Sequence, residues 1–152
     1  MILLIKKYCS VKYSSIDDAV KMIHNIGRNA LLAKCDIKSA FRLFRLSPSE
    51  FDLTGFKFKN KYYFDKCLHM GASSSCALFE SFSTALHWFV QAKSKNNNIW
   101  HYLDDFLFGG KAGTDQCLDT LEVFKNSCES WGVPLADDRT VNTTEVLIFL
   151  GI

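Results

Sequence analysis

Three aspartates lie at positions that suggest a chemical role. Asp36 ends an apolar stretch, and Asp104 and Asp105 are adjacent between two β-prone runs, residues 99–103 and 106–108. Adjacent carboxylates flanked by apolar residues are costly, since like charges repel and burial favours the protonated form. A tight turn accepts aspartate for conformational reasons, so an ordinary Asp-Asp hairpin turn is the structural alternative.

Metal binding is a second explanation for these acids. Two divalent ions held close together need several carboxylate oxygens from opposed backbone segments. Mg²⁺ prefers oxygen ligands and keeps waters or substrate phosphates in its shell. One aspartate from a strand and one or two from a neighbouring hairpin would supply such a set. The spacing of 68 residues between Asp36 and Asp104 leaves room for an intervening hairpin and helix.

The elements that must position the acids alternate between helices and strands. Apolar residues recur at helical spacing in three segments, which predict helices at residues 15–27, 72–93 and 114–132. Runs of β-prone residues predict strands at residues 30–36, 53–58, 62–67, 99–103, 106–108 and 146–152. This order predicts an α+β fold, in which an antiparallel sheet has helices on one face.

The ends of the first and last helices carry local signals. Ser15 followed by Asp18 is a carboxylate variant of the capping box, and Gly27 is placed to end that helix. Thr114 is predicted to cap the last helix, and Gly132 to end it.

Length and composition fit one globular domain. The chain has 152 residues, 48% of them hydrophobic and 13 of them Phe, which argues for a packed core and against disorder. No apolar run is long enough for a membrane span, and residues 1–5 predict a short strand rather than a signal peptide. The six cysteines lack C-x-x-C spacing and several sit in apolar stretches, as reduced thiols do. We therefore expect an intracellular protein, in cytoplasm or nucleus, without a membrane partner.

The charge of the chain gives little indication of its function. The net charge of +2 is a weak signature of nucleic-acid binding, although acidic residues at a metal centre would offset basic residues elsewhere in the chain. Lysines cluster after residue 56 and could meet phosphates. A solvated lysine face on a hairpin explains them equally well on charge alone. The clustered residues are Lys57, Lys59, Lys61 and Lys66.

Several motifs together resemble those of reverse transcriptases. Residues 102–105, Tyr-Leu-Asp-Asp, resemble the family's Tyr-x-Asp-Asp box, and residues 36–41 look like its first catalytic motif, an Asp followed five residues later by an aromatic. Residues 68–79 are similar to the Leu-Pro-x-Gly…Ser-Pro-x-x-Phe motif, and residues 149–151 resemble the start of the primer-grip hairpin. One such box is weak evidence, whereas ordered motifs over residues 15–152 are strong. The motif sequences most resemble those of retrotransposons of the DIRS or tyrosine-recombinase type, with gypsy-type and pararetroviral relatives as alternatives.

The resemblance implies a polymerase palm with an RRM-like βαββαβ sheet, plus part of the fingers. We therefore expect residues 1–152 to form a single fingers and palm domain, with thumb and ribonuclease H absent. The implied activity is that of an RNA-directed DNA polymerase, which joins dNTPs to a primer 3′-hydroxyl on an RNA or DNA template. The implied cofactors are two Mg²⁺ ions, for which Mn²⁺ can substitute.

The resemblance also assigns the metal centre and a primer contact. Asp36 and Asp104 would ligate both metals. Asp105 would be a supporting carboxylate, and the carbonyl of Ile37 a further ligand. Tyr102 would touch the primer end, with packing on the sheet as its structural alternative.

The same resemblance assigns five nucleotide-binding residues. Backbone amides of Ser39 and Ala40 would face the triphosphate. Phe41 would be the steric gate that leaves no space for a 2′-hydroxyl, with an ordinary core phenylalanine as the alternative. Met70 and Gly71 would line the dNTP pocket.

Three departures from the family pattern matter. His69 and Cys76 stand where the family has prolines, which puts the pocket geometry in question. Arg139 stands where a lysine often acts as general acid, and its very high pKa makes arginine a poor proton donor. His101 has no evident metal partner in the sequence and is interpreted as structural.

Two other functions stay open at this point. The chain could be a degenerate retroelement remnant that folds without polymerising. It could also be an RNA-binding module with the palm fold, which would require exposed aromatic residues on the sheet face.

Overall fold

The structure is a computed structural model that describes residues 10–151. The strand predicted at residues 1–5 lies outside the described residues. Contacts along the chain define two compact units. Of the described residues, we call 12–38 with 80–151 the sheet unit, and 10–11 with 39–79 the hairpin unit.

The described residues form three α-helices and six strands. The helices are α1 (Ile16–Ile26), α2 (Ser73–Ser94) and α3 (Gln116–Trp131). The strands are β1 (Leu31–Asp36), β2 (Gly55–Phe58), β3 (Lys61–Phe64), β4 (Ile99–Tyr102), β5 (Asp105–Gly110) and β6 (Val141–Thr144). Short 3-10 helices lie at Ala40–Leu43, Pro48–Thr54 and Asp137–Arg139.

A four-stranded sheet forms the centre of the sheet unit, in the order β4-β5-β1-β6. Each neighbouring pair is antiparallel. The predicted α+β fold with an antiparallel sheet is therefore confirmed. The two central strands, β5 and β1, are those that carry predicted acids at their ends.

Helices pack on both faces of this sheet. Phe106 and Phe108 of β5 point to one face, where their ring centroids lie 4.7 and 5.1 Å from that of Phe124 in α3. Leu107 points to the other face and packs in a buried cluster with Ala19 of α1. The prediction placed the helices on one face of the sheet, whereas α1 covers the face opposite α3, so helices lie on both faces.

Two successive glycines allow both helices to approach β5 closely. A Cβ atom on Gly109 would collide with the side chain of Ile26 at the end of α1. A Cβ on Gly110 would lie 2.5 Å from the backbone nitrogen of Cys117 in α3. Since successive strand residues face opposite sides, each glycine makes room for one helix.

The predicted ends of α1 are confirmed. Ser15 is the N-cap, and its hydroxyl accepts from the Asp18 backbone N–H at 3.3 Å. The Asp18 carboxylate accepts from the Ser15 backbone N–H at 3.2 Å, which completes the capping box. Gly27 follows the last helical residue with φ 106°.

The predicted start of α3 is wrong by one residue. Asp115 is the N-cap, whereas the hydroxyl of Thr114 donates to the carbonyl oxygen of Lys111 at 2.8 Å. Thr114 therefore stabilises the preceding turn instead of the helix. The end is as predicted, because Gly132 follows Trp131 in the left-handed conformation.

The predicted last strand, residues 146–152, is wrong. The strand is β6, five residues earlier, where Val141 pairs with Lys34 and Thr144 with Leu32. The described residues after Glu145 form no strand. Phe149 instead packs in the buried cluster of the sheet, with its ring centroid 5.5 Å from that of Trp100.

The hairpin unit contains the predicted hairpin, formed by β2 and β3. Its turn is at Lys59 and Asn60, both with positive φ. Every residue of both strands is exposed. Phe64 stacks on Phe51 of the preceding 3-10 helix, with ring centroids 4.9 Å apart.

None of the helices within residues 10–151 combines the length and the apolar character that crossing a membrane requires.

Candidate active site

The register of the sheet brings the predicted acids together. Asp36 is the last residue of β1 and lies directly opposite Asp105, the first residue of β5. Asp104 precedes β5 in the turn, and its carbonyl oxygen accepts a hydrogen bond from the Ile37 backbone N–H at 3.0 Å. The four residues predicted to hold metal ions therefore occupy one end of the sheet.

A tight turn between β4 and β5 presents the acids. Tyr102 and Asp105 are paired across it, so Leu103 and Asp104 form its two central residues. Leu103 has φ 52°. A bulky side chain in this conformation is uncommon and persists where surrounding contacts hold it. The turn is thus a conformation that the local sequence alone does not favour.

Asp36 is buried, Asp104 and Asp105 are half-buried, and the three carboxylates repel one another. Asp36 is only 5% exposed. Burial, followed by the charges of Asp105 and Asp104, raises the pKa of Asp36 to about 7, although nearby Arg139 acts in the opposite direction. Burial and the charge of Asp105 also raise the pKa of Asp104. This corner of the sheet therefore carries more negative charge than its single guanidinium offsets.

Arg139 reaches Asp36 because its segment docks along the end of β1. The Ala136 backbone N–H donates to the Asp36 carbonyl at 2.9 Å, and Ile37 forms an isolated bridge with Leu135. This docking places the Arg139 Nη1 atom 2.8 Å from Asp36 Oδ2. The motif order identified Arg139 only as a replacement for lysine. Its ion pair with Asp36 was not predicted from the sequence.

The donor set fits a divalent cation by its chemistry. Asp36 Oδ1 is buried and has no hydrogen-bond partner among the described residues. Oxygen donors on opposed strands are what Mg²⁺ prefers, and a cation would relieve the repulsion among the acids. Within residues 10–151, no three His, Cys, Asp or Glu side chains are grouped so that they could hold a metal ion as they stand. The fit therefore rests on charge, burial and register.

Tyr102 is half-buried, and its ring packs against neighbouring rings. Its ring centroid lies 4.9 Å from that of Tyr13 and 6.5 Å from the nearly parallel ring of Trp100. This packing agrees with the structural role that we gave as the alternative to a primer contact. The contact with a primer stays a prediction.

Three of the predicted nucleotide-binding residues form a short segment of the hairpin unit. Ser39 has φ 55° and precedes the 3-10 helix that contains buried Ala40. Phe41 is half-buried, with its ring edge-on to Phe79 at 5.6 Å between centroids. Arg42, which could have met a phosphate, forms an ion pair with Asp65. The nucleotide roles of Ser39, Ala40 and Phe41 stay predictions.

Met70 and Gly71 lie in the turn before α2. Met70 is 83% exposed. Gly71 has φ 94°, a conformation in which a side chain would be strained. The chain therefore turns here through glycine, without the prolines that the family has at His69 and Cys76. The nucleotide contacts of Met70 and Gly71 stay predictions.

Comparison with known proteins identifies the family of this chain. Residues 5–152 match the family model described as reverse transcriptase (RNA-dependent DNA polymerase). The chain belongs to the reverse transcriptase family. This finding does not distinguish the DIRS type from the gypsy type, so the subtype stays a prediction. No curated protein matches the chain.

Solved structures of foamy virus enzymes share the fold. The chain is similar to the foamy viral protease-reverse transcriptase dRH in complex with ds DNA, with a TM-score of 0.72 and 18% identity over 93% of this chain and 23% of that one. It is also similar to the native prototype foamy virus protease-reverse transcriptase, with a TM-score of 0.62 and 20% identity over 72% of this chain and 14% of that one. The chain thus spans less than a quarter of either foamy virus enzyme.

Proposed function

We propose that this chain contains the catalytic centre of an RNA-directed DNA polymerase, which adds dNTPs to the 3′-hydroxyl of a primer. One observation carries the proposal. Asp36 and Asp105 face each other across neighbouring strands, with Asp104 in the adjoining turn. Placing buried Asp36 next to two other carboxylates costs stability, because the charges repel. Binding of divalent cations would make use of this arrangement.

The reaction joins two substrates without a covalent enzyme intermediate. The primer 3′-oxygen loses its proton and forms a bond to the α-phosphorus of the dNTP. The bond from that phosphorus to the bridging oxygen of the β-phosphate breaks, and pyrophosphate leaves. Bound Mg²⁺ would lower the pKa of the attacking hydroxyl and offset the charge of the triphosphate.

The acids and Arg139 have separate tasks in this proposal. Asp36, Asp104 and Asp105 supply carboxylate oxygens for two Mg²⁺ ions, or for Mn²⁺ in their place, with the Ile37 carbonyl as a further ligand. Arg139 offsets part of the negative charge on Asp36 through its ion pair. Its guanidinium stays protonated in proteins, so we assign it no proton transfer.

The substrate contacts follow the family resemblance. The backbone amides of Ser39 and Ala40 face the triphosphate, and Phe41 excludes a 2′-hydroxyl. Met70 and Gly71 line the dNTP pocket. One contact within the hairpin unit supports the assignment of Phe41, because its ring packs edge-on against that of Phe79.

The remaining assignments concern the nucleic acid and the protein's origin. Tyr102 contacts the primer end. The template is RNA or DNA, the source is a retrotransposon of the DIRS or gypsy type, and the protein works inside the cell.

Burial on the acid-bearing sheet face disfavours a simple RNA-binding module. Such a module stacks bases on exposed aromatic residues. Trp100 on this face is 5% exposed, and Tyr102 is half-buried against Tyr13. The position where a base would stack is thus occupied by protein, while the carboxylates lie at the strand ends.

Primer extension on an RNA template, with dNTPs and Mg²⁺ or Mn²⁺, tests the proposal. We expect extension by the intact chain and a loss of at least about a hundredfold for Asp104→Asn, since one metal ligand contributes several kcal/mol to the transition state. Asp119→Asn, on the exposed side of α3, is the matched control and should leave the rate unchanged. Absence of extension by the intact chain would favour the inactive remnant, and equal rates for Asp104→Asn would remove the acids from the mechanism.

The steric gate has its own test. Phe41→Ala should raise incorporation of rNTPs relative to dNTPs, because a smaller side chain leaves space for the 2′-hydroxyl. An unchanged ratio in a folded, active variant would contradict the role of Phe41.

A further inference from the structure

Two short segments of the hairpin unit pair with each other, and each adjoins predicted nucleotide-binding residues. The first segment, residues 42–46, follows residues 39–41. The second segment, residues 65–68, leads to residues 70–71. An antiparallel bridge and two backbone hydrogen bonds of 2.9 Å join the segments, namely Arg45 with Cys67, the Leu46 N–H to the Lys66 carbonyl and the Leu68 N–H to the Phe44 carbonyl. The placement of residues 39–41 relative to residues 70–71 therefore depends on this pairing.

The carboxylate of Asp65 adds a side-chain link between the two segments. Its Oδ1 atom accepts from the Cys67 backbone N–H at 3.1 Å, within the second segment. The same oxygen accepts from the Arg42 guanidinium, in the first segment. The Asp65 side chain is 17% exposed, so water screens this ion pair less than it screens a fully exposed one. A carboxylate that accepts from both a guanidinium and a backbone N–H is held more firmly than an isolated surface pair.

The backbone of Asp65 is fixed by a separate set of contacts. Its N–H donates to the Thr54 carbonyl at 3.4 Å, and its carbonyl accepts from the Thr54 hydroxyl at 2.8 Å. Thr54 ends the 3-10 helix that precedes β2. Because both backbone groups of Asp65 are bonded to one residue, its carboxylate starts from a fixed position and can act as an anchor.

Arg42, the partner of Asp65, belongs to the 3-10 helix that contains Ala40 and Phe41. Its N–H donates to the Ser39 carbonyl at 2.8 Å. Ser39 has φ 55°, a conformation that is uncommon outside glycine and persists where surrounding contacts hold it. A tether on the Arg42 side chain therefore restrains the 3-10 helix that follows Ser39.

The second segment benefits from such a restraint because the residue after it is His69. Proline at this position, as in the family pattern, would fix its own φ and restrict the residue before it. Histidine imposes neither limit. The chain just before the turn is held instead by the backbone hydrogen bond of Leu68 and by the bond from the Cys67 N–H to Asp65.

We propose that Asp65 is a positioning residue: by joining Arg42 to the Cys67 backbone N–H, its carboxylate holds residues 39–41 in place relative to residues 70–71. The link is a property of the fold, and its value for nucleotide binding rests on the function proposed above. Asp65 touches neither substrate nor metal in this scheme. The sequence offered no signal for the link, because Arg42 and Asp65 are 23 residues apart and each resembles a solvated charge.

Amide hydrogen exchange on the intact chain tests the link without any requirement for polymerisation. Asp65→Ala should speed exchange of the Cys67 amide by about tenfold or more, as expected for loss of a hydrogen bond to a charged group. It should also speed exchange of the Leu68 amide, whose hydrogen bond crosses to the first segment. Asp52→Ala, at an exposed acid of the same unit, is the matched control and should change neither amide. Faster exchange at Cys67 with unchanged exchange at Leu68 would overturn the proposal, because the carboxylate would then act within the second segment alone.

A variant of Arg42 covers the case in which Asp65→Ala does not fold. The Arg42 side chain is 59% exposed, so Arg42→Leu leaves no buried cavity. It should speed exchange at Leu68 and keep most of the protection at Cys67, whose acceptor remains. Arg28→Leu, at another exposed arginine, should change nothing. If Leu68 exchanges as slowly in Arg42→Leu as in the intact chain, the ion pair does not join the segments and the proposal fails.

The double variant measures whether the two side chains act together. If their contact joins the segments, Arg42→Leu should add little to exchange at Leu68 once Asp65 has been replaced by alanine. Independent, additive effects of the two substitutions would contradict the link.

Primer extension relates the link to the nucleotide. Asp65→Ala and Arg42→Leu should each raise the KM for dNTP by about fivefold and change kcat less, since a displaced pocket weakens binding. A lower KM in Asp65→Ala would show that Asp65 withholds Arg42 from the triphosphate, and would overturn the positioning role. Absence of primer extension by the intact chain, with both amides responding as expected, would refute the polymerase function and leave the link confirmed.

Discussion

In the sheet unit, the strands that carry the aspartates are buried along most of their length, whereas both strands of the hairpin unit are exposed at every residue. β5 has packed helices on either side, at Leu107 and at Phe106. The β2–β3 hairpin is a two-stranded sheet. Its ring contacts include the stacked pairs of Phe64 with Phe51 and of Phe56 with Tyr63.

This difference follows from what each unit has to hold. Repelling carboxylates separate unless the backbone beneath them is rigid, so Asp36 and Asp105 require a buried sheet in fixed register. Exposed aromatic and basic side chains carry no such repulsion, and a marginal hairpin can hold them. Stability should therefore be concentrated under the acids, and the following substitutions test that contrast.

The largest effect should come from Phe106→Ala. Phe106 is fully buried and packs on Phe124, so its truncation leaves a cavity and should cost about 3–5 kcal/mol of unfolding free energy. Urea denaturation followed by tryptophan fluorescence measures this, because the three tryptophans belong to the sheet unit. A cost below about 1 kcal/mol, the range of surface sites, would contradict a rigid core beneath the acids.

Gly110→Ala compared with Gly55→Ala should show the same contrast on a smaller scale. A Cβ at Gly110 meets the backbone of Cys117 at 2.5 Å and should cost about 1–3 kcal/mol, since a helix must move. At Gly55 the nearest atom is the Asp52 carbonyl oxygen at 3.6 Å, an ordinary contact. That variant should be neutral or slightly stabilising, as judged by thermal unfolding monitored by circular dichroism. Equal losses at both glycines would show that the close approach of α3 does not constrain β5.

Asp36→Asn should stabilise the sheet unit at pH 8 but not at pH 5. In the folded chain the pKa of Asp36 is raised to about 7, from 3.8. Ionisation of Asp36 therefore opposes folding, and stability is lost as pH rises from about 4 to about 7. Removing the charge should raise the unfolding free energy by on the order of 1 kcal/mol at pH 8. Loss of the ion pair with Arg139 reduces this gain. Melting temperatures of Asp36→Asn, Asp119→Asn and the intact chain at both pH values measure it. A gain at pH 5 as large as that at pH 8 would contradict the assigned titration.

The smallest effect should come from Phe58→Ala in β2. Phe58 is 57% exposed, so its truncation should change the unfolding free energy of the sheet unit by less than about 0.5 kcal/mol. The same fluorescence titration as for Phe106→Ala gives a direct comparison. A loss similar to that of Phe106→Ala would mean that the hairpin unit, too, contributes to the rigid core.

Local signals predicted those parts of the fold that local chemistry decides. Ser15, Asp18 and Gly27 define α1 correctly because capping and chain reversal involve neighbours in sequence. Runs of β-prone residues also located β1 and β5, and with them the acids. The last strand was misplaced, because the apolar run at residues 146–150 has the higher β propensity. Pairing with β1 selects the more polar Val141–Thr144 instead, and propensity cannot anticipate that choice.

The candidate site was predictable where a motif fixes the residue and unpredictable where the fold brings distant segments together. Asp36, Asp104 and Asp105 were identified from type, position and motif order. The ion pair of Arg139 with Asp36 depends on how a distant segment docks on β1, and the sequence spacing of 103 residues gives no measure of it. The ion pair of Asp65 with Arg42 likewise depends on how two segments of the hairpin unit pair, which no local pattern encodes.

Binding of Mn²⁺, followed by electron paramagnetic resonance, tests the central claim that the three aspartates form a divalent-cation site. We expect saturable binding to the intact chain, weakened by at least about tenfold in Asp36→Asn and in Asp105→Asn, since each removes a charged ligand. Asp119→Asn should bind as the intact chain does. Equal affinity for Mn²⁺ in the intact chain and Asp36→Asn, with both proteins folded, would contradict the claim.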